Sequence, residues 1–225
     1  GDGNVSEWTL SAPVDDEPLE FAVLGAHSSE AGRDGWSAET SLDGDVVTPM
    51  VWVAPVRDSA ADYGGTADQV GGAEGYWEGA GMARVGRGWQ HASTEAMCVR
   101  RWTAPRAGTV RVIGRAFKEY RHRDGGATLR ARILHNTTKV WPDADWAAAQ
   151  LGDLSGDAHD LTLEVTAGDV IRFVLDVGAA PERDYLAWMP RIVYEHSGSA
   201  PREDATTVRI ACGANHPHRD GCRNV

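Results

Sequence analysis

No apolar run in this 225-residue chain approaches the ~18 residues that cross a bilayer as a helix, so a helical membrane span is excluded. Cysteine is scarce. Cys98, Cys212 and Cys222 make an odd count that cannot pair fully within one chain. There is no paired CxxC, no G-x-S-x-G elbow and no phosphate-cradling P-loop, which removes three common routes to metal, acyl-transfer and nucleotide chemistry. Phe (3) and Met (4) are few. Basic residues are rare in the first 99 positions, with 4 Lys/Arg against 17 Asp/Glu. Residues 100–132 reverse this with 10 against 2, and residues 133–225 carry 8 against 14. The net charge of −11 disfavours nucleic acid and anionic membranes as partners, because both require phosphate neutralisation. The basic middle reads as the solvent side of two strands, Arg111/Arg115 and Arg130/Arg132, facing acidic neighbours.

What the chain has is glycine (26), tryptophan (9) and short alternating runs. Leu161, Leu163 and Val165 alternate with polar residues. After Ala167-Gly168-Asp169, the residues Ile171, Phe173, Leu175 and Val177 alternate with Arg172, Val174 and Asp176. Period-two alternation across a Gly-Asp turn predicts a β-hairpin. "VRRWTAP" predicts a strand. "AGTVRVIGRAFK" predicts another, with Val110 and Val112 inward. "TLRARILH" puts Leu129, Ala131 and Ile133 on one face and Arg130 and Arg132 on the other. "DWAAAQL" offers a short helical piece, "RIVYE" a returning strand and "TTVRIAC" a last one. Strands at this spacing, without helical period between them, predict an all-β fold: an antiparallel, jelly-roll-like β-sandwich in a single domain with long loops. Residues 1–24 read as a lead-in or edge strand, 25–196 as the sandwich and 197–225 as a C-terminal strand and loop packed on the same domain. Residues 58–82, rich in Gly, Ala and Asp, read as one long loop.

The run from "VRRWTAPRAGTVRVIGRAFK" through "DGGATLRARILHNTTKVWP" and "LTLEVTAGDVIRFVLDV" to "DYLAWMPRIVYE" resembles the β-sandwich modules attached to secreted bacterial polysaccharide-degrading enzymes. The similarity extends over about residues 25–195. "HNTT" stands where those modules carry an Asn-Gly turn. The resemblance implies a carbohydrate-binding or accessory role, a secreted location, and a place in a larger multimodular enzyme. It carries no defined set of binding residues, so none is transferred.

The residues themselves supply candidates. An exposed indole or phenol offers a flat apolar platform to the C–H face of a sugar ring. Trp52, Trp102 and Trp188 lie in strand-like or strand-flanking runs and read as core. Tyr76, Trp77 and Trp89 sit in glycine-rich sequence, and Trp141 and Trp146 flank "PDAD" with Asp143 and Asp145; these are the candidate platforms and their polar neighbours. "YRHRD", Tyr120, Arg121, His122, Arg123 and Asp124, joins two strands and projects binding groups from a rigid scaffold. The resulting expectation is a non-catalytic module that recognises a polysaccharide through loop Trp/Tyr and Arg/Asp/His. A small jelly-roll lyase or glycosidase is the alternative from another class, and a structural or protein-docking module is the third. Asp143/Asp145 and Asp153/Asp157 are candidate structural Ca²⁺ ligands, although neither stretch has EF-hand spacing. His216, His218 and Cys222 are a weaker Zn²⁺ candidate. Cys212 and Cys222 bracket a turn-rich loop that suits a local disulfide and an exported protein, and Cys98 reads as a small buried hydrophobe.

Overall fold

The computed structural model describes residues 5–9, 20–22, 27–42, 46–55, 75–118, 128–149, 156–178, 185–195 and 207–211. The chain gathers into two compact units. Residues 1–18 and 196–225 form one, and 19–195 the other. In the first, β1 (Val5–Thr9) pairs antiparallel with β18 (Thr207–Ala211), Val5 opposite Ala211.

The larger unit is an antiparallel β-sandwich. One sheet has nine described strands: β2 (Glu20–Ala22), β5 (Val51–Val53), β6 (Tyr76–Glu78), β7 (Arg84–Val85), β8 (Trp89–His91), β10 (Gly108–Lys118), β14 (Asp157–Val165), β16 (Tyr185–Trp188) and β17 (Arg191–Tyr194). The other has seven: β3 (Trp36–Ser41), β4 (Val47–Pro49), β9 (Met97–Thr103), β11 (Leu129–His135), β12 (Thr138–Trp141), β13 (Ala147–Ala149) and β15 (Val170–Asp176). The order in the first is β2-β17-β10-β16-β8-β7-β6-β5, with β14 also paired to β10. In the second it is β12-β11-β15-β9-β3-β4, with β13 also paired to β11.

The predicted alternation places the core. Val110, Val112, Leu129, Ile133, Ile171, Phe173 and Leu175 are all wholly buried between the sheets, as are Trp102 and Trp188. The intervening Val174 joins Val99 and Leu134 in a second small cluster with Met97 and Trp146, on the opposite face of the seven-stranded sheet. The Gly-Asp hairpin forms as its residues demand. Gly168 takes φ 92°, and the Asp169 carboxylate accepts from the Thr166 backbone N–H at 2.8 Å and from Asn136 Nδ2 at 3.0 Å. Those donors, Thr166 first, hold the Asp169 carboxyl down at about 2. Asn136 itself adopts φ 56°, so an asparagine in the left-handed region turns "HNTT" without the glycine.

Two elements differ from expectation. Tyr76–Glu78, inside the stretch 58–82 read as one long loop, form β6 and pair with β5 and β7. "DWAAAQL" is not helical: Ala147–Ala149 form β13, pairing with Leu129, Arg130 and Ala131 of β11. A single helical turn costs more order than one hydrogen bond returns. The edge of β11 offers ready partners instead, and Ala147 and Ala149 are buried there.

His159 is buried in the core. Its Nδ1 donates to the Val112 carbonyl at 3.1 Å, and its Nε2 accepts from Trp188 Nε1–H at 3.0 Å. A Cβ on Gly114 would lie 2.7 Å from that Nε2, which is why glycine occupies the position across the β10–β14 ladder. Burial pushes the imidazole down to about 4. The neutral ring therefore stabilises the fold fully above the ordinary histidine value, and that contribution fades as pH falls from about 6.5 towards 4. Urea titrations across this range are expected to show the wild type losing up to about 3 kcal/mol more than His159→Gln. A wild-type-to-variant difference that stays constant with pH would overturn the assignment.

Candidate functional site

Strands β6, β7, β8 and β16 lie side by side, and alternation divides their side chains between two faces. Val85, Gln90, Leu186 and Trp188 turn into the sandwich, and Trp77 packs against the same core. Tyr76, Glu78, Arg84, Trp89, His91 and Tyr185 fall on the outer face. The register sets Glu78 opposite Arg84, Arg84 opposite His91, and His91 opposite Tyr185.

These side chains are in mutual contact. The Trp89 ring stands 5.2 Å from Tyr185, edge to face, and 6.2 Å from Tyr76. Tyr185 lies 4.8 Å from the His91 ring. The Arg84 guanidinium sits 5.0 Å over Tyr76, and its Nε donates to Glu78 Oε2 at 2.6 Å. His91 Nδ1 donates to the Met82 carbonyl at 3.1 Å. Arg84 and His91 are buried, whereas Tyr76, Trp89 and Tyr185 are half-buried. The result is an aromatic file with a charged pair and an imidazole along one side.

The hairpin carrying Trp89 is pinned from within. Arg100, on β9 of the opposite sheet, is 1% exposed. Its Nη1 donates to the Trp188 carbonyl at 2.7 Å, and its Nη2 to the carbonyls of Gly86 at 2.6 Å and Trp89 at 3.2 Å. Gln90 reaches the other way, its Nε2 donating to the Phe173 carbonyl at 3.0 Å and the Cys98 carbonyl at 3.3 Å. Cys98 Sγ donates to the Arg84 carbonyl at 3.0 Å. Burial raises that thiol to about 12, so it remains a neutral donor, and it lowers Arg100 to about 10, which leaves the guanidinium charged at neutral pH. The indole of Trp89 folds over Gly86, where a Cβ would lie 2.0 Å from a ring carbon.

Of the platforms expected on loops, Tyr76, Trp77, Trp89 and Trp141 stand on strands, and Trp146 directly precedes β13. Tyr76 and Trp89 come together on the outer face. Trp77 turns to the inner face, 5.5 Å from Trp52, which is itself half-buried at the sheet end. Trp141 also turns inward, 5.5 Å from His159 and 6.0 Å from Trp188. Trp146 lies on the other sheet, under the guanidinium of Arg132 at 4.2 Å and that of Arg130 at 5.1 Å. Asp143 and Asp145 are exposed in the turn after β12, whose Asp143 and Ala144 carbonyls accept from Lys139 Nζ at 3.0 and 2.5 Å. Tyr120, Arg121, His122, Arg123 and Asp124 lie outside the described residues, as do Asp153, Cys212, His216, His218 and Cys222. Among the described residues no three His, Cys, Asp or Glu side chains group as a metal site. Two of the four strand arginines are seen against acids: Arg111 meets Asp160 through two bonds of 2.6 and 2.5 Å, and Arg130 pairs with Asp176.

Sequence reasoning missed Glu78, Arg84, His91 and Tyr185. The signal was the same period-two rule, applied to "YWE", "WQH" and "YLAW". Three- and four-residue strands are too short to show alternation inside Gly-rich sequence.

No family model and no curated protein matches the chain. Solved structures do. A family 35 carbohydrate-binding module from Clostridium thermocellum is similar at 12% identity and TM-score 0.32, over 78% of this chain and 97% of that one. A xylan-binding module, CBM15, is similar at 8% identity and TM-score 0.34, over 80% and 99%. The ANX2 ectodomain from Arabidopsis thaliana is similar at 13% identity and TM-score 0.35, over 71% and 42%. Likenesses this distant leave function to be decided by the residues.

Gly86→Ala is expected to lift the Trp89 indole off the hairpin, costing about 1–3 kcal/mol and shifting tryptophan fluorescence. Arg100→Lys keeps a charge but loses the fork that spans three carbonyls. Roughly 3 kcal/mol of destabilisation is expected in urea unfolding, and an unchanged midpoint would refute the pinning role.

Proposed function

We propose that this chain is a non-catalytic carbohydrate-binding module that seats a polysaccharide along the outer face of the nine-stranded sheet. The observation that carries the proposal is the aromatic file Tyr76–Trp89–Tyr185 with Arg84, Glu78 and His91 beside it. Strands stand ~4.8 Å apart, so the three steps from β6 to β16 span roughly 14 Å, room for several sugar residues in a row. Ring faces pack against sugar C–H surfaces, and the half-buried Glu78 carboxylate offers acceptors to the edge hydroxyls. A shallow face of this kind gives a micromolar to millimolar Kd, because little area is buried against the cost of association. The motif resemblance over "RWTAP" to "WMPRIVYE" supports an accessory role in a secreted, multimodular polysaccharide-degrading enzyme, with the polysaccharide as partner.

One observation favours a second reading. Arg84, His91 and Tyr185 are the residue types of a polysaccharide lyase: a cation to hold a uronate, and an imidazole and a phenol to move protons. Here they share one face, with His91 and Tyr185 rings 4.8 Å apart. Incubation with uronate polymers separates the two readings, since a lyase releases an unsaturated product with rising ultraviolet absorbance and a binding module does not.

Calorimetry against a panel of neutral and acidic polysaccharides tests the proposal. Trp89→Ala and Tyr185→Ala are each expected to weaken binding about tenfold, in keeping with a stacking contribution near 1.4 kcal/mol. Trp141→Phe, on the inner face, is expected to leave it unchanged. Silence across the whole panel would sink the proposal.

A further inference from the structure

A narrow cleft opens between β3 of one sheet and β6–β7 of the other, with about 30 Å³ of space at its floor and about 330 Å³ once its open mouth is counted. Trp36 and Trp77 wall it, His27, Ser28 and Glu30 form its rim, and Arg100 lies at its base. Two observations about this cleft are independent of the outer face. Among the described residues Arg100 is a buried cation with no carboxylate against it: its hydrogen bonds go to backbone carbonyls, and Glu30, the one carboxylate among the described lining residues, is exposed and forms no ion pair with it. A buried charge without a counter-charge is costly, and backbone dipoles offset only part of that cost. In addition, two residues that line the cleft each carry a buried N–H donor, Arg100 Nε and Trp36 Nε1, without an acceptor among the described residues. A buried donor left unmet is costly and calls for a partner.

We propose that this cleft is a binding site for a carboxylate group, which accepts from Trp36 Nε1–H and Arg100 Nε–H and supplies the missing counter-charge. A carboxylate fits where a neutral hydroxyl does not, because it brings only acceptors to two donors and compensates the guanidinium. Trp36 and Trp77 add apolar walls that suit the ring of a sugar acid. The sugar-acid form of the ligand rests on the carbohydrate-binding proposal, while the carboxylate site itself does not.

The full chain, ¹⁵N-labelled, is titrated at constant ionic strength with sodium acetate, sodium glucuronate, glucose and sodium chloride. The tryptophan indole N–H signals are followed, and Trp36→Phe identifies which of them belongs to Trp36. Acetate and glucuronate are expected to shift the Trp36 signal saturably, glucose and chloride not at all. Trp36→Phe, which keeps an aromatic wall but removes the donor, is expected to weaken carboxylate binding about tenfold. Tighter binding of glucuronate than acetate identifies a sugar acid as the source, and equal binding identifies a free carboxylate. No saturable shift with either carboxylate, or the same shift with glucose or chloride, overturns the proposal. The wild-type titration stands even if the variant fails to fold. Polysaccharide binding lost in Trp89→Ala but kept in Trp36→Phe shows that the outer face and the cleft succeed or fail separately.

Discussion

A charged guanidinium sealed between two sheets governs this molecule. Arg100 has no acid beside it among the described residues; its Nη donors go to backbone carbonyls, which belong to the β7–β8 hairpin and the end of β16. Gln90 returns the tie from the other sheet. Such contacts are directional, unlike the apolar packing around them, and low dielectric makes each one costly to break. They fix where the hairpin sits, and with it Trp89.

The same strands thus work on both sides. Their inner faces carry the polar ties and Trp77, while their outer faces carry the rings and the Glu78–Arg84 pair. Very short strands gain this rigidity from the opposite sheet, since a hairpin of two and three residues has few ladder bonds of its own. The outer face is held in position by groups that never reach it.

The second half of the sandwich was legible in advance. β10, β11, β14 and β15 are seven to eleven residues long, long enough for alternation to repeat, and Val110, Leu129 and Phe173 lie where the pattern put them. The Gly168-Asp169 turn was equally plain, because its chemistry is local. The candidate site was legible only in part. Tyr76 and Trp89 were recognisable as aromatics outside the regular pattern, but Trp77, one residue from Tyr76, was indistinguishable from it and faces the other way. Trp141 and Trp146 share a short segment and end on different faces. "DWAAAQL" had helical composition and lost it to the open edge of β11.

The amino-acid order alone determined what depends on neighbours along the chain: the all-β class, the antiparallel hairpins, the core face of each long strand and the burial of Cys98, Trp102 and Trp188. Pairing between distant segments decided the rest. Tyr76, Trp89 and Tyr185 are brought together by strand order, across more than a hundred residues of chain, and Arg100 reads as one more strand arginine until the opposite sheet encloses it. Local periodicity says which side of a strand a residue occupies. Only the packing of the two sheets says whether that side meets water, a neighbouring ring or a buried charge.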